Sequence, residues 1–203
     1  MNPLEPPLLS CGWSGAALAD GVSGDLQLCE CWPGGALLAV IDGLGHGAPA
    51  AEASALAAEV LRENPQLPLS QLFEICHAAL RRSRGVVMSA MQINGRASTL
   101  EWCGVGNVEG LLLRPGAIGG RSVAAITNRG GVVGYRLPSL RVSTVPISPG
   151  DVMVMATDGI RPGVIDALPE EVEPQAIADA LLARYAKGTD DALVLVARYR
   201  GAS

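Results

Sequence analysis

Residues 36–47 read Ala36-Leu37-Leu38-Ala39-Val40-Ile41-Asp42-Gly43-Leu44-Gly45-His46-Gly47. Six apolar residues in a row predict a strand, and the aspartate that closes the run ends it at a glycine-rich turn. Ala48 to Glu63 follows, rich in Ala, Leu and Glu, and predicts a helix with Pro49 in its first turn and Asn64-Pro65 as its stop. Upstream, Leu26 to Cys31 is a second apolar run, and Pro33-Gly34-Gly35 joins the two as a hairpin. A strand that leaves a hydrophobic core and ends in Asp sets a carboxylate at the rim of that core.

The pattern extends in both directions. Leu8 to Leu18 is a weak strand candidate, and Pro3, Pro6 and Pro7 make the residues before it a lead-in. Ser70 to Arg82 predicts a second helix, with Leu72, Ile75, Cys76, Ala79 and Leu80 at three- and four-residue spacing and Ser70 as its N-cap. Short strand-like runs then follow at Val86–Ile93, Ser98–Val105, Val108–Leu113, Ser122–Thr127, Leu140–Pro146 and Asp151–Ala156, separated by turn residues. Pro174 to Tyr185 predicts a third helix and Ala192 to Tyr199 a last strand. Strand–helix alternation is too sparse for a doubly wound parallel sheet. Two sheets between helix layers, an α+β arrangement, fits better. No linker or repeat interrupts the chain, so residues 1–203 are expected to form a single domain with its core over about 10–199.

Composition narrows the function. At 203 residues, one domain is expected on a scale of ~150 residues per domain. Hydrophobic residues make up 49% and charged ones 17%, which excludes intrinsic disorder; aromatics are 3%, so the core is built of Ala, Val, Leu and Ile. A formal net charge of −5 argues against nucleic acid as a partner, because phosphate contacts need a basic face. No apolar run reaches the ~18–20 residues of a membrane span. Met1 to Pro7 lacks the basic and apolar segments of a signal peptide, so a cytoplasmic protein without a membrane partner is expected. The five cysteines, Cys11, Cys29, Cys31, Cys76 and Cys103, match neither a zinc framework nor a disulfide scaffold. Cys29 and Cys31 are two apart, on one face of a strand, and all five are expected to be small core residues of a reducing compartment.

The informative feature is where the aspartates fall. Asp42 ends one apolar run and Asp158 another, each followed by glycine; Asp190 and Asp191 precede the last strand, and Asp25 the strand before Asp42. Any single Asp-Gly reads equally as a turn former. Several strands of one sandwich, however, can bring such carboxylates together. Clustered carboxylates repel, and each resists ionising unless a cation neutralises the group. All-oxygen sites of this kind suit Mg²⁺ or Mn²⁺.

These residues resemble a known family, the metal-dependent serine/threonine protein phosphatases of the PP2C type, in the bacterial branch that includes the SpoIIE, RsbU and RsbX phosphatases. The likeness is carried by Ser23-Gly24-Asp25, Val40-Ile41-Asp42-Gly43-Leu44-Gly45-His46-Gly47, Cys103-Gly104-Val105-Gly106-Asn107, Pro149-Gly150-Asp151 leading into Ala156-Thr157-Asp158-Gly159, and Gly188-Thr189-Asp190-Asp191. The order and spacing agree from about residue 10 to residue 199. No added sensor or membrane domain is expected in a chain of this length, and a free-standing catalytic domain of this kind resembles RsbX, the stressosome phosphatase. The resemblance implies a β-sandwich of two antiparallel sheets flanked by helices, with two Mn²⁺ or Mg²⁺ ions at one end. It implies that Asp42 bridges both ions, that the Gly43 carbonyl binds one, that Asp158 and Asp190 hold the other, and that Asp25 binds directly or through water. Asp191 would support these ligands from behind. Leu193 stands where relatives often carry Thr or Ser three residues after the first Asp of the pair, which removes a supporting hydrogen bond. The implied reaction is hydrolysis of phosphoserine or phosphothreonine by metal-activated water, on a regulatory protein of the STAS-domain stressosome type. A monomer is expected.

Other residues carry open roles. His46 can donate a proton to the leaving serine oxygen or brace its loop. His77 reads as structural. Arg81, Arg82 and Arg84 read as a solvated helix end or a phosphoprotein contact, and Arg161 as a substrate contact near Asp158. Asn107 can position a water or a carboxylate, or form a turn. Two further readings compete. A nucleotide-binding kinase is disfavoured because no lysine lies near the glycine-rich loop and the chain's single lysine is Lys187. A partner-binding module that keeps the phosphatase fold without its activity is the remaining alternative.

Overall fold

The computed structural model describes residues 8–18, 21–114, 122–161 and 172–201. Ten strands and three helices follow in the order β1 (Leu9–Ala16), β2 (Asp25–Trp32), β3 (Gly35–Gly43), α1 (Ala48–Glu63), α2 (Leu69–Ala79), β4 (Val86–Asn94), β5 (Thr99–Val105), β6 (Glu109–Leu113), β7 (Ser122–Ala125), β8 (Ser143–Pro146), β9 (Val152–Ala156), α3 (Pro174–Tyr185) and β10 (Ala192–Tyr199). They build two five-stranded sheets, β1-β10-β9-β6-β7 and β2-β3-β4-β5-β8, antiparallel throughout. The two sheets and their three helices are the α+β sandwich expected from the sequence.

The apolar run 36–41 lacks strand alternation because β3 is covered on both faces. Leu37, Ala39 and Ile41 pack with Ala53, Ala57, Leu61, Leu72 and Phe73 of α1 and α2. Ala36, Leu38 and Val40 turn the other way, against Leu193, Leu195 and Ala197 of β10. The last strand repeats the device in mirror image, with Ala192, Val194 and Val196 facing Ile177, Ala178 and Leu181 of α3. The layers therefore run helices, sheet, sheet, helix, with a core of Leu, Ile and Met side chains, joined by Trp102 and Tyr199, between the sheets.

α1, α3 and β10 coincide with the expected spans. α2 does not. It starts at Leu69 from Pro68, makes no side-chain cap and leaves Ser70 inside its first turn. The Leu69 side chain is buried, so packing rather than the serine hydroxyl sets this start. The helix tightens into a 3₁₀ turn over Leu80–Arg82, which carries the exposed Arg81 and Arg82. His77 is structural: its Nδ1 accepts the Gly134 amide at 2.9 Å. β8 begins at Ser143 rather than Leu140, because Leu140 packs against the helix-side core instead of pairing. The cysteines also divide. Cys76 and Cys103 are buried, but Cys11 and Cys31 are exposed and Cys29 is half-buried, so the expectation of five core residues holds for two.

α3 approaches its sheet closely at Gly12 of β1, where a side chain would overlap the Gln175 backbone. Gly12→Ala is therefore expected to lower unfolding stability by about 1–3 kcal/mol. Urea denaturation checks this, and an unchanged midpoint would mean that α3 yields at no cost.

Candidate metal centre

Asp25 opens β2 and Asp42 nearly closes β3, and the register makes them cross-strand partners. Residues directly opposite share a face of the sheet. Cys29, Leu38 and Val40, in step with Asp25 and Asp42 along their strands, belong to the inter-sheet core, so both carboxylates lie at the end of the space between the sheets. The other sheet supplies Asp158 just past β9 and Asp190 and Asp191 just before β10. All five aspartates line one cavity, together with His46 and Asn107.

Hydrogen bonds fix most of these side chains. Thr157 Oγ1 donates to Asp25 Oδ2 at 2.7 Å and accepts the Leu193 amide at 2.9 Å, tying β2 of one sheet to β10 of the other. Leu193, the departure from the family pattern, thus contributes its backbone amide, and the hydroxyl comes from Thr157. Asn107 Nδ2 donates to Asp158 Oδ2 at 2.7 Å. Lys187 Nζ donates to the Asp158 backbone carbonyl. Asp191 is 6% exposed and accepts the amides of Leu18 at 2.8 Å and Gly24 at 2.7 Å, which clamps the segment leading into Asp25. Asp190 Oδ1 accepts the Asp191 amide at 2.9 Å. Among the described residues no hydrogen bond reaches the Asp42 carboxylate.

The remaining candidates sit around this core. Gly43 is buried behind the wall formed by Asp42 and Leu44; a side chain there would overlap the Ala50 carbonyl of α1, so glycine lets the helix abut the strand end. From α1, Ser54 Oγ donates to the Gly24 carbonyl at 2.5 Å. His46 is an exposed part of the cavity wall. Arg161 is exposed, its amide bonded to the Tyr185 carbonyl at 2.9 Å, and it does not line the cavity. Sequence reasoning missed Thr157, Ser54 and Lys187. Thr157 stood inside a quoted motif, directly before Asp158, but no local pattern marked its bond to Asp25.

The cavity works against its own charge. Burial lifts Asp42 from an ordinary 3.8 to about 8, with further contributions from Asp25, Asp158, Asp190 and Asp191. Burial also lifts Asp25 to about 7; the Thr157 bond opposes this, and Asp191, Asp190 and Asp158 add to it. Among the described residues no three His, Cys, Asp or Glu side chains converge closely enough to hold a metal ion in this arrangement. The carboxylates form an open, all-oxygen basin whose charge is relieved either by protons or by a bound cation. Hard divalent ions match that donor chemistry, and Asp42, which no described residue hydrogen-bonds, has both oxygens to offer.

Comparison with known proteins agrees. The family model for stage II sporulation protein E (SpoIIE) matches residues 33–200. Phosphoserine phosphatase RsbX of Bacillus subtilis (strain 168) is 26% identical over 156 residues, which is 76% of each chain. A chain from a structure of the bacterial stressosome, described as a modular system adapted to control secondary messenger signalling, superposes with a TM-score of 0.84 at 27% identity, over 94% of this chain and 99% of that one. RsbX in complex with magnesium superposes with a TM-score of 0.83 at 21% identity, over 98% of both chains, and shows the same fold.

The raised carboxyls fix the sign of a pH effect. Their folded-state pKa values stand above the unfolded value, so their contribution to stability is complete below about 3.8 and is lost as pH rises through about 7 to 8. Metal-free protein is expected to melt at a lower temperature at pH 8 than at pH 5, and Mg²⁺ or Mn²⁺ to raise Tm more at pH 8. Scanning fluorimetry reads both; a metal-free Tm that climbs over this interval would refute the repulsion. Thr157→Val is expected to cost about 1–3 kcal/mol in the same assay, through the unsatisfied Leu193 amide and the unsupported Asp25.

Proposed function

The chain belongs to the SpoIIE family of PP2C-type phosphatase domains, and from that premise we propose that it removes phosphate from serine or threonine of a regulatory partner protein. One observation carries the proposal: separate segments of two sheets deliver Asp25, Asp42, Asp158, Asp190 and Asp191 to a single cavity. The likeness to a phosphoserine phosphatase supports the choice of substrate linkage. The stressosome setting of one relative supports a phosphorylated STAS-domain protein as the partner, met in the cytoplasm by a monomer of this chain.

In the proposed arrangement Asp42 and the Gly43 carbonyl, Asp25, Asp158 and Asp190 hold two Mg²⁺ or Mn²⁺ ions. Divalent ions held this way supply an activated water and neutralise charge on the phosphoryl oxygens. The protein's share is positioning, which dominates phosphoryl transfer. Thr157 orients Asp25 and joins the two sheets at the point where the charge is greatest. Asn107 leaves Asp158 one oxygen free while engaging the other. Asp191 keeps Leu18 and Gly24 in place and so fixes one wall of the cavity. His46, on the open side, is placed to protonate the departing serine oxygen. Arg161, outside the cavity, is assigned to contact with the protein part of the substrate.

Phosphate release from a phosphoserine STAS-domain protein tests the proposal. Release is expected with Mn²⁺ or Mg²⁺, and none with EDTA. Asp42→Asn and Asp158→Asn are expected to lose at least about 100-fold in kcat while keeping the fold by circular dichroism. Full turnover by folded Asp42→Asn would refute the site. Bound metal without hydrolysis of any phosphoprotein or phosphate ester would leave the partner-binding alternative. His46→Ala is expected to lose about 100-fold on the serine ester but far less on p-nitrophenyl phosphate, whose leaving group needs no proton. Equal losses on both substrates would reduce His46 to a loop brace.

A further inference from the structure

The two edge strands on one side of the sandwich, β1 of one sheet and β2 of the other, bring together three thiols that no part of the metal centre uses. Cys11 of β1 lies opposite Ala197, a residue of the inter-sheet core, and so faces inward at the sandwich edge. Cys29 of β2 packs against that same core. Their Sγ atoms stand 2.7 Å apart, a separation far inside ordinary sulfur–sulfur contact. Cys31, two residues on and on the same face, hydrogen-bonds to Cys29. Cys11 and Cys31 are exposed, so small oxidants reach the cluster from solvent.

We propose that Cys11 and Cys29 are an oxidation site that forms a reversible disulfide, locking the edge of one sheet to the edge of the other. The oxidant is a peroxide. The Cys11 thiolate attacks a peroxide oxygen and the O–O bond breaks, leaving a sulfenic acid on Cys11 and a hydroxide that takes the released thiol proton. Cys29 Sγ then displaces the hydroxyl from Cys11, the S–S bond forms, and the Cys29 proton leaves with the hydroxyl as water. Two thiols lose two electrons in all, and hydrogen peroxide gains them as two waters. A thiol reductant reverses the change.

The thiols are ordered for this sequence. The contact with Cys11 holds the Cys29 thiol up at about 12, and the contact with Cys29 raises Cys31. Cys11 is the exposed sulfur of the close pair, so it is the one that a dissolved peroxide meets first. The bond would close a covalent loop over residues 11–29. That loop contains Leu18 and Gly24, whose amides hold Asp191, and Asp25 itself. Oxidation therefore stiffens the strand pair that carries one side of the metal centre without touching a carboxylate.

Peptide mapping of the full chain after peroxide treatment and alkylation tests the site. Cleavage after Asp and Glu separates the three cysteines, because Asp20, Asp25 and Glu30 lie between them. The expected product is the Cys11 peptide joined to Leu26–Glu30, lighter than the two thiol peptides by two hydrogens. Tm should rise by about 5–10 °C on oxidation and return with dithiothreitol. Cys11→Ser and Cys29→Ser should abolish both signals while leaving metal-dependent turnover of the reduced protein unchanged, and Cys31→Ser should keep both. Free or over-oxidised Cys11 without a linked peptide, a link through Cys31, or a link only between two molecules would each overturn the proposal.

Discussion

Everything at the functional end of this molecule depends on β3 being buried on both faces up to the residue before Asp42. A strand sealed by helices on one side and by a second sheet on the other has no freedom of register, because a shift by one residue would exchange its two packed faces. The carboxylate at its end is therefore placed by hydrophobic packing along its whole length. Asp25 inherits the same precision as the cross-strand partner of Asp42. The core, rather than any contact made by the carboxylates themselves, holds two like charges side by side.

That arrangement stores electrostatic tension, and the surrounding polar contacts manage it unequally. Asp191 is satisfied by two backbone amides and serves as architecture, although it belongs to the same acidic pair as Asp190. Asp25 and Asp158 each receive one side-chain hydrogen bond from the described residues, from Thr157 and Asn107, and both line the cavity. Asp42 receives none from the described residues. The gradient from fully bonded to unbonded runs from the scaffold to the most exposed demand for a cation. Burial first and the neighbouring carboxylates second lift Asp42 to about 8, and at Asp25 the Thr157 bond offsets part of the same rise.

Much of this was legible in the chain. The spans of α1, α3 and β10 follow from apolar periodicity and from proline and asparagine at their ends, and the four strand-terminal aspartate positions marked the rim of the core. What stayed hidden were links between distant segments. Thr157 reaches Asp25 across 132 positions, and nothing local to a threonine announces a partner in the opposite sheet. Ser70 shows the converse failure: a good capping residue lost to Leu69, whose burial decided where α2 begins. The cysteines failed for the same reason as Thr157. Their spacing along the chain gives no hint that two edge strands of different sheets lie side by side, and only the superposition of the sheets brings Cys11 to Cys29.

The pairing of β1 with β10, from Leu9 with Tyr199 to Ala16 with Ala192, has a consequence for biosynthesis. The sheet that carries Asp25 and Asp42 is assembled mainly from neighbouring segments, β2 to β5, and can form while the chain is still emerging from the ribosome. The first strand must wait for the last. Until β10 is released, the inner face of the early sheet lies open, and Asp158, Asp190 and Asp191 are absent or unplaced. Late closure of so non-local a pair makes the final folding step slow and leaves apolar surface exposed before it. A nascent chain thus holds Asp25 and Asp42 on half a sandwich, and the five carboxylates come to share one cavity only once β10 has been made and has paired with β1.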